Sequence, residues 1–255
     1  MSNAAADFLR AADPAALFRQ GVRDARGGPA DPDPWQIDVM RSTAPRQLIM
    51  CNRQAGKSTT VGAKACSGML YDPGLYLIIA PTLRQSRELF KKITSVYRNL
   101  DNVPRIVRDN ATELELGNES RLVALPGDDD AGIRGFSAPR AVIIDEASRV
   151  SDSVYSALRP MLATSGGQLI ALTTPWGPRG WFYEAWEYQK GWERTTITAH
   201  DCPRITPEFL EEELEKLGEW RFRQEYLCEF TSNEESFFSS ELCDAMIDNT
   251  LEAWA

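Results

Sequence analysis

"QLIMCNRQAGKSTTVGAKACSGML", from Gln47 to Leu70, sets the fold class. Its first five residues are a short apolar run of the kind that makes a buried strand, and Lys57 to Leu70 has helical apolar spacing. Between them lies a loop that ends in Gly-Lys-Ser. A phosphate-binding loop requires this context: successive backbone N–H groups, a lysine for the β- and γ-phosphate charges, a hydroxyl for Mg²⁺, and a helix N-terminus whose dipole favours anions. Gly56, Lys57 and Ser58 supply the close backbone approach, the ammonium and the hydroxyl. Cys51 stands where the usual leading glycine would be, which removes a permissive backbone position that a different loop path does without. On this stretch alone, an ordinary turn containing Gly-Lys-Ser is the alternative.

Outward from this loop, strands and helices alternate. "LYLIIAP" (75–81), "AVIIDEA" (141–147) and "QLIALTTP" (168–175) are near-continuous apolar strands, and "RQSRELFKKITSVYRNL" (84–100) is an amphipathic helix. "RIVRDNATELELGNESRLVALPG" (105–127) reads as three short strands joined by Asn/Gly turns. Strands apolar on both faces, alternating with helices, imply a mostly parallel sheet covered on both sides, hence an α/β fold. After "GWERTTITA" the pattern becomes helical, in a segment that Thr206 opens as N-cap with Pro207 at the first helical position. The expected organisation is a mobile lead-in over 1–34, in which short apolar helical pieces alternate with "ARGGPADPDP", a core over 35–200, a small helical lid over 201–230 and an acidic linker over 231–255.

The composition is globular, with 43% hydrophobic and 25% charged residues, and contains neither a bilayer-length apolar run nor a basic-then-apolar leader. A cytosolic chain with no membrane contact is expected. Five cysteines (51, 66, 202, 228 and 243) form no C-x-x-C pair, and the sole histidine, His200, is too little for a zinc site, so buried reduced thiols are expected. The net charge of −9 is regional: residues 207–255 carry 14 acidic and 3 basic residues, whereas residues 1–206 carry 23 and 25. Overall acidity therefore neither excludes nor supports DNA binding by the first 206 residues. Arg84, Arg87, Lys91 and Lys92 share one helix and are either a phosphate-facing cluster or a solvated face.

Asp145 and Glu146 close the strand of "AVIIDEA". A carboxylate there can hold magnesium through water, and its neighbour can orient and deprotonate an attacking water. A carboxylate pair ending an apolar strand, downstream of a Gly-Lys-Ser helix, points to ATP hydrolysis.

The ordered set "PWQ", "RQAGKST", "IIAPT", "IRGFSAPRAVIIDEA" and "TTPWGPRGWFYEAW" resembles the ATPase domain of the large terminase subunit of tailed bacteriophages, from Trp35 to Phe230. The resemblance implies a P-loop NTPase of the RecA-like, additional-strand, catalytic-glutamate type that binds ATP and Mg²⁺. It places Arg53, Gln54, Ala55, Gly56, Lys57, Ser58 and Thr59 around the phosphates, with Arg53 as the loop arginine near the γ-phosphate. It puts Ser58 and Asp145 on the metal, Glu146 on the water, and Trp35 with Gln36 at the adenine, where a plain helix-start role for Gln36 is the alternative. Thr173, Thr174 and Pro175 match a coupling motif on the strand between those bearing the loop and the carboxylates. Arg134 matches an arginine that acts on a neighbouring subunit, with Arg140 and Arg149 as rivals.

The implied partners are double-stranded DNA, a portal protein, a small terminase subunit and further copies of the chain in a ring on the procapsid, in the host cytoplasm, with a monomer in isolation. No nuclease activity is expected of this chain. A helicase-like remodelling ATPase, which "IIAPT" and "DEA" also resemble, and a weakly hydrolysing portal-docking module are the competing readings. The aromatics of "WFYEAWEYQKGW" (181–192) have helical spacing and are expected to pack rather than stack on bases.

Overall fold

The computed structural model describes residues 3–128 and 130–231. Helices α1 (Asn3–Ala12), α2 (Pro14–Gly21) and α3 (Pro34–Arg41) precede β1 (Arg46–Cys51), α4 (Lys57–Tyr71), β2 (Leu75–Ala80) and α5 (Leu83–Arg98). Then come β3 (Ile106–Asp109), β4 (Glu113–Leu116), β5 (Arg121–Pro126), α6 (Asp130–Arg134) and β6 (Ala141–Asp145). A 3₁₀ turn (Ala147–Arg149), α7 (Asp152–Ser165), β7 (Gln168–Thr173), α8 (Gly180–Glu187), β8 (Glu193–Ile197), α9 (Pro207–Leu217) and α10 (Glu219–Tyr226) complete the order.

Among the described residues, eight strands form one sheet in the order β3-β4-β5-β2-β6-β7-β1-β8. From β5 to β8 every neighbour is parallel, and β3 and β4 extend the other edge antiparallel. Alternation along each strand divides the core. Ile49, Ile78, Ile143 and Ile170 face α2 to α5, whereas Leu48, Leu77, Val142 and Leu169 face α7 and α8. β7 lies between β1 and β6, with Met50 opposite Thr173 and Asp145 opposite Leu172. The carboxyl ends of these three strands therefore finish side by side, the position where open α/β sheets carry their sites.

Two sequence expectations change here. The segment before Pro34 is not a mobile lead-in: Ala15, Leu17, Phe18 and Val22 are buried in the core on the α4 and α5 face. α2 comes so close to α5 that a Cβ on Gly21 would stand 2.7 Å from a Val96 methyl carbon, so the contact requires glycine. Asp13 and Pro14 cap and open α2, signals that the Gly/Pro-rich stretch after it obscured. The second change is β8, which the apolar pattern does not announce. It is an edge strand on which only Ile197 is buried, so it has no continuous apolar run.

The aromatic stretch packs as expected. Trp181 and Phe182 are buried, and Trp181 stacks on Tyr155 with ring centroids 4.4 Å apart while its indole N–H donates to the Val150 carbonyl. Cys51, Cys66, Cys202 and Cys228 are buried free thiols, and burial pushes Cys66 and Cys228 up to about 12. Past β8, Ala199, Leu210, Phe222 and Tyr226 make a small core of their own in a helical unit; Thr206 caps α9, and Gly218, at φ 74°, separates α9 from α10. Cys243 and residues 232–255 of the expected linker lie outside the described residues.

Candidate nucleotide site

The loop between β1 and α4 turns through Gly56 at φ 92°, a left-handed conformation that favours glycine, and α4 starts at the next residue. Gln54 (φ 62°) and Glu146 (φ 52°) also have positive φ, and both line one cleft. Each such non-glycine position costs about 1–3 kcal/mol and persists where the surroundings fix it, a pattern that gathers at functional sites. The cleft encloses about 620 Å³ and is lined by Arg53, Gln54, Gly56, Lys57, Ser58, Glu146, Thr174 and Pro175 from the sequence-predicted set.

Lys57 Nζ lies 2.8 Å from Glu146 Oε1 and donates to Thr174 Oγ1 at 3.1 Å. Burial opposes the Lys57 charge, but the Glu146 and Asp145 carboxylates outweigh it and hold the ammonium above its ordinary pKa. Ser58 Oγ donates to Asp145 Oδ2 at 3.2 Å. Burial pushes the Asp145 carboxyl up, against the pull of Lys57. No group of three or more His, Cys, Asp or Glu side chains gathers as a metal site among the described residues. The Ser58–Asp145 pair nevertheless fits Mg²⁺, a hard ion that takes one or two protein oxygens and fills its shell with water and phosphate.

The strand between β1 and β6 connects the two halves of the site. Thr174 Oγ1 donates to the Cys51 carbonyl at 3.1 Å, at the end of β1. Thr173 Oγ1 lies 2.7 Å from Ser148 Oγ, in the 3₁₀ turn after Glu146. Neighbouring hydroxyls at the end of β7, those of Thr173 and Thr174, thus touch the carboxylate turn on one side and the loop strand on the other.

Several expected residues lie apart from the cleft lining. Ala55 is buried and Thr59 lies in the first turn of α4. Gln36 is buried with both ends of its amide engaged: it accepts from the Asp33 N–H at 2.8 Å, starting α3, and donates to Thr60 Oγ1 at 2.8 Å. The helix-start role is therefore observed. Trp35 packs partly buried against the core. Arg134, on α6, is exposed and paired with Asp130 at 2.9 Å. Arg140 precedes β6 at the opposite end of the sheet, 3.4 Å from Asp72.

Four more residues line the cleft: Gln85 of α5 and Glu225, which the sequence did not single out, Lys92 of α5, from the basic cluster read as phosphate-facing or solvated, and Arg149, a rival to Arg134 for the neighbouring-subunit role. Of the basic residues on α5, Arg84 and Lys92 line an adjoining cavity of about 320 Å³ with Ser58, Asp145 and Glu146, whereas Lys91 pairs with Glu88 at 2.8 Å. Glu225 of α10 reaches Arg53 at 2.7 Å, and Arg204 donates to the Ala55 carbonyl, so the helical unit closes over the loop. The Arg53–Glu225 and Arg204–Ala55 contacts join residues far apart in sequence, so no local pattern announces them.

A glycine–lysine–serine loop after β1, a carboxylate pair ending β6 and one strand between them define a P-loop nucleoside triphosphatase of the additional-strand type. Residues 48–245 match the family model described as terminase large subunit, T4likevirus-type, N-terminal, and the chain belongs to that family. The large terminase subunit of Thermus phage G20c is 29% identical over 243 residues, 80% of this chain and 50% of that protein, so the chain spans about half the length of this relative. The large terminase ATPase domain of Thermus phage P74-26 superposes with a TM-score of 0.66 at 26% identity, over 79% of this chain and 94% of that one. The HK97 bacteriophage large terminase gives 0.68 at 15% identity, over 86% and 55%, which speaks to the fold alone. These relatives favour neither the helicase-like nor the portal-docking reading. No helix among the described residues is long and apolar enough to cross a membrane.

Proposed function

We propose that this chain is the ATP-hydrolysing motor domain of a viral terminase large subunit, which drives double-stranded DNA into a procapsid through a portal protein. The observation that carries this reading is the convergence of Lys57, Ser58 and Glu146 on one cleft, with Asp145 on the cavity adjoining it, at the carboxyl ends of β1 and β6. In this reading a small terminase subunit is a further partner, and the chain works as a ring on the procapsid in the host cytoplasm and is a monomer alone.

The backbone N–H groups at the start of α4 and the Lys57 ammonium bind the β- and γ-phosphates, and Arg53 and Gln54 close the loop side. Ser58 and Asp145 would hold Mg²⁺, which would supply neutralisation of phosphate charge. Glu146 orients the attacking water and takes its proton. Because Lys57 occupies the Glu146 carboxylate at 2.8 Å, the ammonium has to transfer to phosphate before that carboxylate acts as a base. Thr173, Thr174 and Pro175 relay phosphate occupancy from the loop to the turn after Glu146. Arg134 reaches a neighbouring subunit's site and stabilises charge on the transferring phosphoryl group. Trp35 and Gln36 lie on the adenine side, where reading the base requires Gln36 to exchange its bond to Thr60.

The test is DNA-stimulated phosphate release in a portal-bound complex, with Glu146→Gln alongside. Stimulated release by the wild type and none by the variant support the reading. A chain that docks on the portal and hydrolyses nothing overturns it.

A further inference from the structure

Four cationic side chains line the cleft, and they are not held alike. Arg53 is 2.7 Å from Glu225 and Lys57 is 2.8 Å from Glu146, so each is matched by a carboxylate. Among the described residues, no carboxylate lies within ion-pair distance of the Arg149 guanidinium. It lies instead over the Trp176 ring, 3.8 Å from the centroid. Arg149 belongs to the 3₁₀ turn that follows Glu146, and its backbone N–H donates to the Glu146 carbonyl at 2.9 Å. Trp176 follows Thr174 and Pro175, both of which line the same cleft.

We propose that Arg149 contacts the γ-phosphate of the nucleotide bound by its own chain, and that Trp176 positions it to do so. The proposal rests on the reading of the cleft as an ATP site. A guanidinium stacked by its face keeps its in-plane N–H donors free, and those edge donors make bidentate phosphate contacts. The ring thus limits the side chain's freedom without neutralising its charge, which a carboxylate partner would do. Its short tether to Glu146 keeps the guanidinium on the hydrolytic side of the cleft. Arg149 lines the cleft of its own chain, so it acts in cis, and Arg134 is left as the candidate for the neighbouring site.

The experiment is equilibrium binding of a non-hydrolysable ATP analogue and of ADP to the 255-residue chain and its variants. The wild type is expected to prefer the analogue. Arg149→Ala should weaken analogue binding about tenfold while changing ADP binding less than about twofold, the loss expected for one charge-assisted phosphate contact. Arg149→Lys should recover part of the preference. Trp176→Phe should keep it, and Trp176→Ala should lose part of it.

An equal fall for both nucleotides in Arg149→Ala overturns the proposal, as does no change in either. Loss of the preference in Lys92→Ala with retention in Arg149→Ala assigns the contact to Lys92 and also overturns it. The underlying reading fails separately, if the wild type binds neither nucleotide or if Lys57→Ala leaves binding intact.

Discussion

Lys57 Nζ sits 2.8 Å from Glu146 Oε1, so the cation expected to bind phosphate and the carboxylate expected to activate water neutralise one another across the cleft. The pair is partly shielded from water, with 14% of the Lys57 side chain and 28% of the Glu146 side chain exposed, and the lysine is held above its ordinary pKa. Incoming phosphate would compete with Glu146 for the ammonium, which ties release of the base to arrival of substrate.

Glu146→Gln removes the base and the competing charge together. Nucleotide binding should be retained or tightened, while phosphate release falls by about 10²–10⁴, the usual contribution of a positioned general base. Calorimetry with ATP and a phosphate-release assay check the two halves, and unchanged turnover would sink the assignment of Glu146.

Arg134→Ala should leave folding and nucleotide binding intact, because its partner Asp130 lies on an exposed helical turn and such pairs contribute only about 0–1 kcal/mol. DNA-stimulated hydrolysis of the assembled ring should fall by about 10³ or more, as loss of a trans-acting arginine implies. Thermal unfolding of the monomer and turnover on the portal separate the two effects.

Leu17→Ala tests whether the amino-terminal helices belong to the fold. Leu17 is fully buried beneath α4 and α5, so truncation should destabilise the chain by about 2–5 kcal/mol, measured by denaturant titration. A loss near zero would return this segment to the status of a lead-in.

Lys64 gives a pH-dependent prediction. Its ammonium donates to the carbonyls of Val39, Met40 and Ser42 at the carboxyl end of α3, and burial lowers its pKa to about 8. Lysine unfolded titrates near about 10.4, so between these values the unfolded chain binds more protons and stability rises with pH. Below about 8 both forms are charged and the burial penalty is present in full. The buried thiols oppose this trend above about 9, because their pKa values are raised in the fold. Lys64→Met isolates the effect. It should destabilise by about 1–3 kcal/mol through the unmatched carbonyls. The difference from wild type should widen from pH 8 upward, measured by denaturant titration across pH.

Much of the fold was legible because its signals are local. "QLIMC", "LYLIIAP", "AVIIDEA" and "QLIALTTP" announce buried strands through continuous apolar runs, and Thr206–Pro207 announces α9 through its cap. β8 was not legible, because an edge strand with one buried residue has no period to read. The helical pieces before Pro34 were legible, but their burial was not, because it comes from contact with α4 and α5.

The sequence alone determined the phosphate loop, the carboxylate pair and the order along the chain of the strands that carry them. Each is written in consecutive residues with a fixed backbone requirement, such as Gly56 at φ 92°. Only the tertiary structure decided what surrounds them: Lys57 against Glu146, Arg53 against Glu225, Arg149 on Trp176, and Lys92 lining the same cavity as Asp145. Those partners come from different elements, and the distance between two side chains on different elements is set by sheet order and helix packing, which no local run of residues encodes.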